Sequence, residues 1–394
     1  MRIRPSRPTA LRIVAAWVLV CVAGLFVSVR LASAASAGGA PLSGGTETTG
    51  GSWAVLPMGQ LSDPSNTFWQ VVRTDPGSSR WSVVTPQGVA DNGGLVAGVS
   101  AGSTMVGTLP SGLLRFSPIS VSANGGTSWS PVFLPGGLGA RPDALAVASG
   151  PSGGSLAIVG TRVLQAGPAF ARWSTLVSLR RLARASAGCG ADALEAVATV
   201  PGGAPLVATG CERAGVVGVF TTSAAGWSQI GAALPRRLAG MSASVLRLEA
   251  SGTQTVALVA ANRGNRRSLV TLRRSASGPW EASAPLALTA SDALRATAEA
   301  HGGGPQGVLV ASKNSLSAAE IPAGGAWAAL PTPPAGTESL AWVTPPGTTF
   351  GGIALDALAV VGGTELRVYA LTPAGAKWVR VQSTQVPLAY GSSG

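Results

Sequence analysis

The chain reads as all-β, a β-propeller of seven four-stranded blades, on three observations. Seven tryptophans recur (Trp81, Trp129, Trp173, Trp227, Trp280, Trp327 and Trp378) at spacings of 48, 44, 54, 53, 47 and 51 residues. A recurrence near fifty residues marks an array of equivalent supersecondary units. Short apolar runs alternate with Gly/Pro/Ser turns, the pattern of short strands. Helical periodicity is nearly absent, and the basic stretch Ser174 to Ala187 reads as a long connection between blades. The period then selects a propeller over a sandwich. Six blades are also compatible, because 53–81 is short of strand-like runs.

Each unit opens on a small phrase: Asp143-Ala144-Leu145, Asp192-Ala193-Leu194, Asp292-Ala293-Leu294 and the divergent Glu338-Ser339-Leu340. A first apolar or alternating run follows, such as Val245 to Glu249. A turn comes next, as in 150–154, 201–205, 251–254 and 301–307, and then a second apolar run such as Val256 to Ala260. A third, more polar run leads to the Trp, which closes the unit. A twisted sheet buries both faces against its neighbours, and a large aromatic on the outer strand fills the wedge between two of them, burying roughly 150–250 Å². The alternative is a ring of ligand-stacking aromatics. One aromatic per unit at one register favours packing.

One unit carries a more specific phrase, Ser122-Ala-Asn124-Gly-Gly126-Thr-Ser128-Trp129. It resembles the Asp-box, Ser-x-Asp-x-Gly-x-Thr-Trp, of the sialidase-type (BNR) β-propeller superfamily. Asn124 stands in place of the family's Asp and Ser128 in place of its Thr. Short polar side chains there fold a tight turn by bonding local backbone. The resemblance implies that Ser122, Asn124, Gly126, Ser128 and Trp129 form a structural turn away from any active site. A sialidase further needs a Tyr nucleophile, acids and three arginines gripping a carboxylate. The chain offers only Tyr369, in an alternating strand-like run, and Tyr390, near the end; the family's Arg-Ile-Pro phrase is absent after residue 37.

Residues 1–37 read as a targeting segment: Arg2, Arg4, Arg7 and Arg12 precede an apolar stretch, Ile13 to Val29, and small residues at 32–37 fit a cleavage site. A cleaved signal peptide and a retained N-terminal anchor both fit. Residues 38–52 read as a flexible linker and 53–394 as the propeller, with the seventh blade stitched from 53–81 and the tail 379–394. Cys189 and Cys211 flank a predicted hairpin, which places them to form a disulfide outside the cytoplasm.

The full chain carries a formal charge of +12; the first 37 residues hold five arginines and no acid, which leaves +7. Arginines cluster at 180–184, 236–237 and 263–274. They read as a solvated face, with an acidic cell-wall or surface polymer as the alternative partner. No aromatics are interleaved for base stacking, so nucleic acid is not expected.

A single His, His301, argues against a histidine-rich metal site and a Ser–His–Asp triad. No cofactor, metal or catalytic residue is assigned. Asp143, Asp192 and Asp292 recur where innermost strands begin, and so form a candidate ligand-binding set at the channel mouth. A turn-closing role for each Asp competes with that reading. The sequence therefore predicts an exported, non-catalytic binding or scaffold module, with a glycan, a cell-wall polymer or another envelope protein as partner, and membrane contact only through 13–29. The rival is a sialidase-like or other carbohydrate-active enzyme. A cleft holding two acids, or Tyr369 with an acid and an arginine, would favour the rival.

Overall fold

A computed structural model describes residues 42–46, 51–60, 67–86, 95–100, 103–108, 119–132, 142–147, 155–167, 170, 172–186, 188–200, 203–251, 254–275, 278–289, 291–300, 304–312, 315–321, 325–345, 353–372 and 377–388. The fold is all-β, and the described strands fall into seven successive four-stranded antiparallel meanders. The first holds β1 (Leu42–Thr46), β2 (Ser52–Gly59), β3 (Thr67–Thr74) and β4 (Ser82–Val83). The second holds β5 (Leu95–Ser100), β6 (Ser103–Thr108), β7 (Ile119–Ser122) and β8 (Ser130–Val132). The third holds β9 (Ala144–Ala146), β10 (Leu156–Val159), β11 (Arg162–Ala166) and β12 (Trp173–Ser178), followed by helix α1 (Leu179–Ala185). The fourth holds β13 (Ala191–Ala198), β14 (Leu206–Cys211), β15 (Gly218–Ser223) and β16 (Gly226–Gln229). The fifth holds β17 (Ser242–Ser251), β18 (Gln254–Arg263), β19 (Arg266–Ser275) and β20 (Trp280–Ala282), with β21 (Leu286–Leu288) also paired to β19. The sixth holds β22 (Ala293–Glu299), β23 (Gln306–Ser312), β24 (Ser315–Ile321) and β25 (Ala328–Ala329). The seventh holds β26 (Thr337–Val343), β27 (Ala354–Val361), β28 (Glu365–Leu371) and β29 (Trp378–Gln385).

The second strand of a meander is covered on both faces by its neighbours, so its sequence is a continuous apolar run rather than an alternating one. β14 is buried at all six positions, and β27 at its six central ones. The seven tryptophans open the fourth strands instead of closing the units: each stands at, one before or one after a fourth-strand start. Ser174 to Ala187, read as one connection, splits into most of β12 and then α1.

Two sequence readings need correction. β1 lies inside 38–52, the stretch read as linker, and pairs antiparallel with β2. It also pairs in parallel with β22, Gly45 facing Glu299, which joins the first and sixth meanders into one eight-stranded sheet. The sequence LSGGT lacks apolar alternation. Its strand conformation therefore comes from two flanking partners. With β1 in place, the first meander is complete within 42–83, and β29 completes the seventh. No stitching of a blade from both chain ends is needed.

The packing between meanders follows one rule. Each apolar cluster straddles consecutive units and includes the Trp of the later one. Trp173 packs with Ile119 and Val132 of the second meander, Trp280 with Val217 and Val219 of the fourth, and Trp378 with Ala298 and Leu309 of the sixth. The indole N–H donors report the same direction. Trp129 donates to the Val84 carbonyl at 2.9 Å, Trp280 to Ile230, and Trp378 to Pro331 at 3.0 Å. Trp81, in the first meander, packs instead among Leu358, Leu366 and Val368 of the seventh, and donates to Asp356 Oδ2 at 2.9 Å.

First strands carry a second regularity. β13, β17, β22 and β26 each carry a β-bulge, with extra residue Glu195, Leu246, Arg295 and Glu338 respectively, and β13 carries a second at Asp192. A bulge re-aims the side chain of its extra residue and bends the strand.

Candidate functional site

In an antiparallel meander the first strand starts, the second ends, the third starts and the fourth ends at one edge, here termed the leading edge. Asp143, Asp192 and Asp292 all stand there, beside the turn between second and third strands. Asp143 Oδ2 accepts from Gly160 N at 3.2 Å, in the β10–β11 turn. Asp292 Oδ1 accepts from the Ser312 hydroxyl at 2.6 Å, at the end of β23, and its Oδ2 accepts from Thr289 N at 2.6 Å. Asp192 lies against Gly210, one residue before the end of β14. Each Asp is thus engaged by its own meander. The hydrogen bonds hold the Asp292 carboxyl below its ordinary range, led by the one from Ser312, whereas burial raises Asp192, with Glu212 adding to the rise.

The bulge residues are the groups that sequence reasoning missed. Glu195 accepts from the Ser244 hydroxyl at 2.8 Å and from Val245 N at 2.7 Å, so it ties β13 to β17. Burial pushes its pKa up to about 7, against the two hydrogen bonds and with a further rise from Asp192. Arg295 and Glu338, the bulge residues of the sixth and seventh meanders, pair at 3.7 Å. A cue for them exists in the sequence. Glu195 and Arg295 stand three residues after Asp192 and Asp292, at the same place in the repeated phrase.

A second polar group lies between the fifth and sixth meanders. Arg247 on β17 and Glu299 on β22 pair at 2.9 Å, with both side chains only 7% exposed. Arg247 also donates to the Thr297 hydroxyl at 3.3 Å. Glu249 sits beside Glu299, and Arg273 on β19 faces both carboxyls while donating to the Gly304 carbonyl at 3.1 Å. Burial raises Glu299 well above an ordinary carboxyl, Glu249 adds to the rise, and Arg247 opposes it. Two arginines balance two glutamates here.

The Ser122–Trp129 phrase folds as a tight turn between β7 and β8. The Ser122 hydroxyl donates to Asn124 Oδ1 at 2.9 Å and accepts from Gly126 N at 2.8 Å. Asn124 Nδ2 donates to the Ser128 hydroxyl at 2.8 Å, and its Oδ1 accepts from Ser128 N at 2.9 Å. Gly126 adopts φ +87°, and a Cβ there would lie 2.6 Å from Val84 Cβ, so glycine is required on both counts. Cys189 and Cys211 form a disulfide with their Cα atoms 4.8 Å apart.

Tyr369 packs its ring against the cluster between the sixth and seventh meanders and bonds Arg367, which is paired with Glu365 at 2.8 Å. The three are alternate residues of β28, the third strand of its meander, so their proximity follows from strand geometry. Among the described residues no group of three or more His, Cys, Asp or Glu could hold a metal ion. No helix among them is long and apolar enough to cross a membrane. The targeting segment 1–37, His301 and Tyr390 lie outside the described residues.

No family model matches the chain, and no curated protein does. Its structural neighbours are β-propellers. YCF48 from Cyanidioschyzon merolae is 13% identical, with 84% of this chain and 92% of that one covered and a TM-score of 0.41. The β-propeller domain of the Trilobed protease from Pyrococcus furiosus is 6% identical, with 89% and 99% covered and a TM-score of 0.45. A polysaccharide lyase, the PL25 ulvan lyase, is 9% identical, with 88% and 95% covered and a TM-score of 0.47.

Proposed function

We propose that the chain is a closed seven-bladed β-propeller, exported from the cytoplasm, that acts as a binding or scaffold module at or outside the cell envelope. One observation carries the closure. Every Trp leans on the preceding meander, and Trp81 of the first leans on Asp356 of the seventh. A ring with no free sheet edge resists edge-to-edge association. The binding reading rests on the leading edge, where Asp143, Asp192 and Asp292 and the adjoining turns are displayed on a rigid scaffold, the usual place for recognition residues. The disulfide supports an oxidising compartment, and an N-terminal segment removed near residue 37 accords with it.

The rival enzyme reading draws on the Glu249–Glu299 carboxyl pair. Glu299 is buried with Arg247, which speaks against substrate reaching the pair; a packed ion pair serves the seam equally well.

The test is expression of the full chain with a C-terminal tag in an exporting bacterial host. Fractionation, the thiol state, a glycan and cell-wall polymer screen, and a polysaccharide-cleavage assay are then read together. The expected result is disulfide-bonded protein outside the cytoplasm that retains a ligand without turnover. Reduced cytosolic protein would overturn the export reading, and cleavage abolished by Glu249→Gln would hand the function to the rival.

A further inference from the structure

The arginine clusters that look scattered in the sequence lie on one surface. Arg162 opens β11 at the β10–β11 turn, and Arg180, Arg181 and Arg184 lie on α1, all exposed. Arg213 follows β14, and Arg236 and Arg237 lie in the connection from β16 to β17, again exposed. Arg263, Arg266 and Arg267 form the β18–β19 turn, where Arg263, Gly264, Asn265 and Arg266 line an open crease of about 630 Å³. All ten stand at leading edges, because each lies either in a turn between second and third strands or in a connection between meanders.

Contacts make this edge continuous. Leu179 N donates to the Thr161 carbonyl at 2.9 Å, setting α1 on the β10–β11 turn. Arg213 N donates to the Cys189 carbonyl at 3.2 Å, which joins the end of the α1 connection to the next turn. Leu234 N donates to the Gly215 carbonyl, and Gly215 N to the Met241 carbonyl, both at 2.8 Å. A side chain at Gly240 would meet Arg263 Nη1 at 3.0 Å, so the connection touches the β18–β19 turn as well. Along this run the described acids are Asp143, Asp192, Glu195 and Glu212, with Asp292 at its end against Arg267, and Glu195 is turned into the seam. Among the described residues, the leading edges of the sixth and seventh meanders carry Asp292, Glu338 and Glu365 against Arg295 and Arg367, so they show no such excess.

We propose that the leading edge of the third, fourth and fifth meanders docks an acidic polysaccharide bearing carboxylate or phosphate groups. The proposal rests on the binding-module reading and names its ligand class. Guanidinium forks bind both anions in bidentate fashion, and a row of them across three meanders fits a linear polymer better than a compact ligand. The exposed large apolar residues among those described, Val83, Ile353, Val379 and Val381, belong to the first and seventh meanders, so this edge lacks the apolar inserts that seat a protein in a lipid interface. It also presents no interleaved aromatics among the described residues for stacking bases.

The test measures binding of the full, disulfide-bonded chain to polygalacturonate, a phosphodiester-linked capsular polysaccharide, neutral dextran, single-stranded DNA and anionic vesicles, each at low and high salt. Variants are Arg180→Glu/Arg181→Glu/Arg184→Glu, Arg263→Glu/Arg266→Glu, and the control Arg80→Glu/Arg380→Glu on the first and seventh meanders, all checked for unchanged thermal unfolding. The expected result is salt-sensitive binding to one or both acidic glycans, weakened on the order of tenfold or more by either leading-edge variant and unchanged by the control. The two acidic glycans tell carboxylate from phosphate. Equal binding by all variants, equal binding to dextran, no binding to either acidic glycan, or tighter binding to DNA or vesicles would overturn the proposal. A neutral glycan or peptide held through other residues would overturn it while leaving the binding-module reading standing.

Discussion

Two seams of this molecule are built on opposite principles. The seam between the seventh and first meanders joins residues far apart in sequence: Trp81 and Asp356 are 275 positions apart, yet both are buried and hydrogen-bonded at 2.9 Å. The Gln382 side chain adds a two-way clamp, accepting from Trp81 N at 2.7 Å and donating to the Trp81 carbonyl at 2.9 Å. Around it the packing is apolar, with Leu56, Met58, Leu358 and Leu366 almost fully buried. The seam between the fifth and sixth meanders joins near neighbours but encloses the Arg247–Glu299 pair, with Glu249 and Arg273 beside it. The contrast teaches where each kind of contact is useful. Distant partners are held by burial and a few hydrogen bonds, which tolerate small errors of approach. A buried ion pair demands an accurate fit, and it fixes the register of two meanders that already neighbour each other in sequence.

The largest expected effect breaks the first seam. Trp81→Ala removes an indole that is 2% exposed and should destabilise the protein by about 3–5 kcal/mol in chemical denaturation. Trp227→Ala, at a half-buried ring on the third-to-fourth seam, should lose clearly less. Equal losses would show that the closing seam is no different from the others.

The second test removes charge from the other seam. Arg247→Met removes the ion-pair partner of buried Glu299 and leaves only Arg273 to balance it and Glu249, which should cost about 3 kcal/mol or more. Combining it with Glu299→Leu should recover most of that loss, because the double variant buries no lone charge. If the double variant is as unstable as the single one, the pair contributes more than charge balance.

The smallest effect is a gain, and it sharpens the comparison through pH. Burial raises the Asp356 pKa from its ordinary 3.8 to about 6, against the hydrogen bond from Trp81. The folded protein therefore holds this proton up to about pH 6, while the unfolded chain releases it near 3.8. Between those values the folded state binds more protons, so its stability falls as pH rises through the window and levels off above it. Asp356→Asn keeps an acceptor for Trp81 without a buried charge. It should flatten this dependence and stabilise the protein above pH 6 by about 1–3 kcal/mol, read from denaturation midpoints across pH. Glu195, raised to about 7 by burial at the fourth-to-fifth seam, adds a similar fall that Asp356→Asn should leave in place.

The sequence carried the repeat because the physics repeats: each seam needs one large wedge, and a Trp supplies it at nearly constant spacing. It carried the Ser122–Trp129 turn and the Cys189–Cys211 pairing for a similar reason, since both are settled within a few residues or one hairpin. The three aspartates could also be placed at first-strand starts, but Gly160 and Ser312, which Asp143 and Asp292 bond, lie a whole strand away. β1 was hidden because its Gly- and Ser-rich sequence has no strand pattern and is ordered only by β2 and β22. Arg247 and Glu249 were hidden because alternate polar residues in a strand read as solvent-facing. A bulge after Val245 and a carboxyl fifty residues downstream turn that face inward.

By itself, then, the sequence determined the period, the β class and the local turns, since these depend on short-range pattern and on one aromatic per unit. Tertiary structure alone decided which meander Trp81 leans on, how the charged seam is neutralised and that the arginine clusters share one edge. Those outcomes depend on which distant segments share a buried space, and no local pattern encodes that.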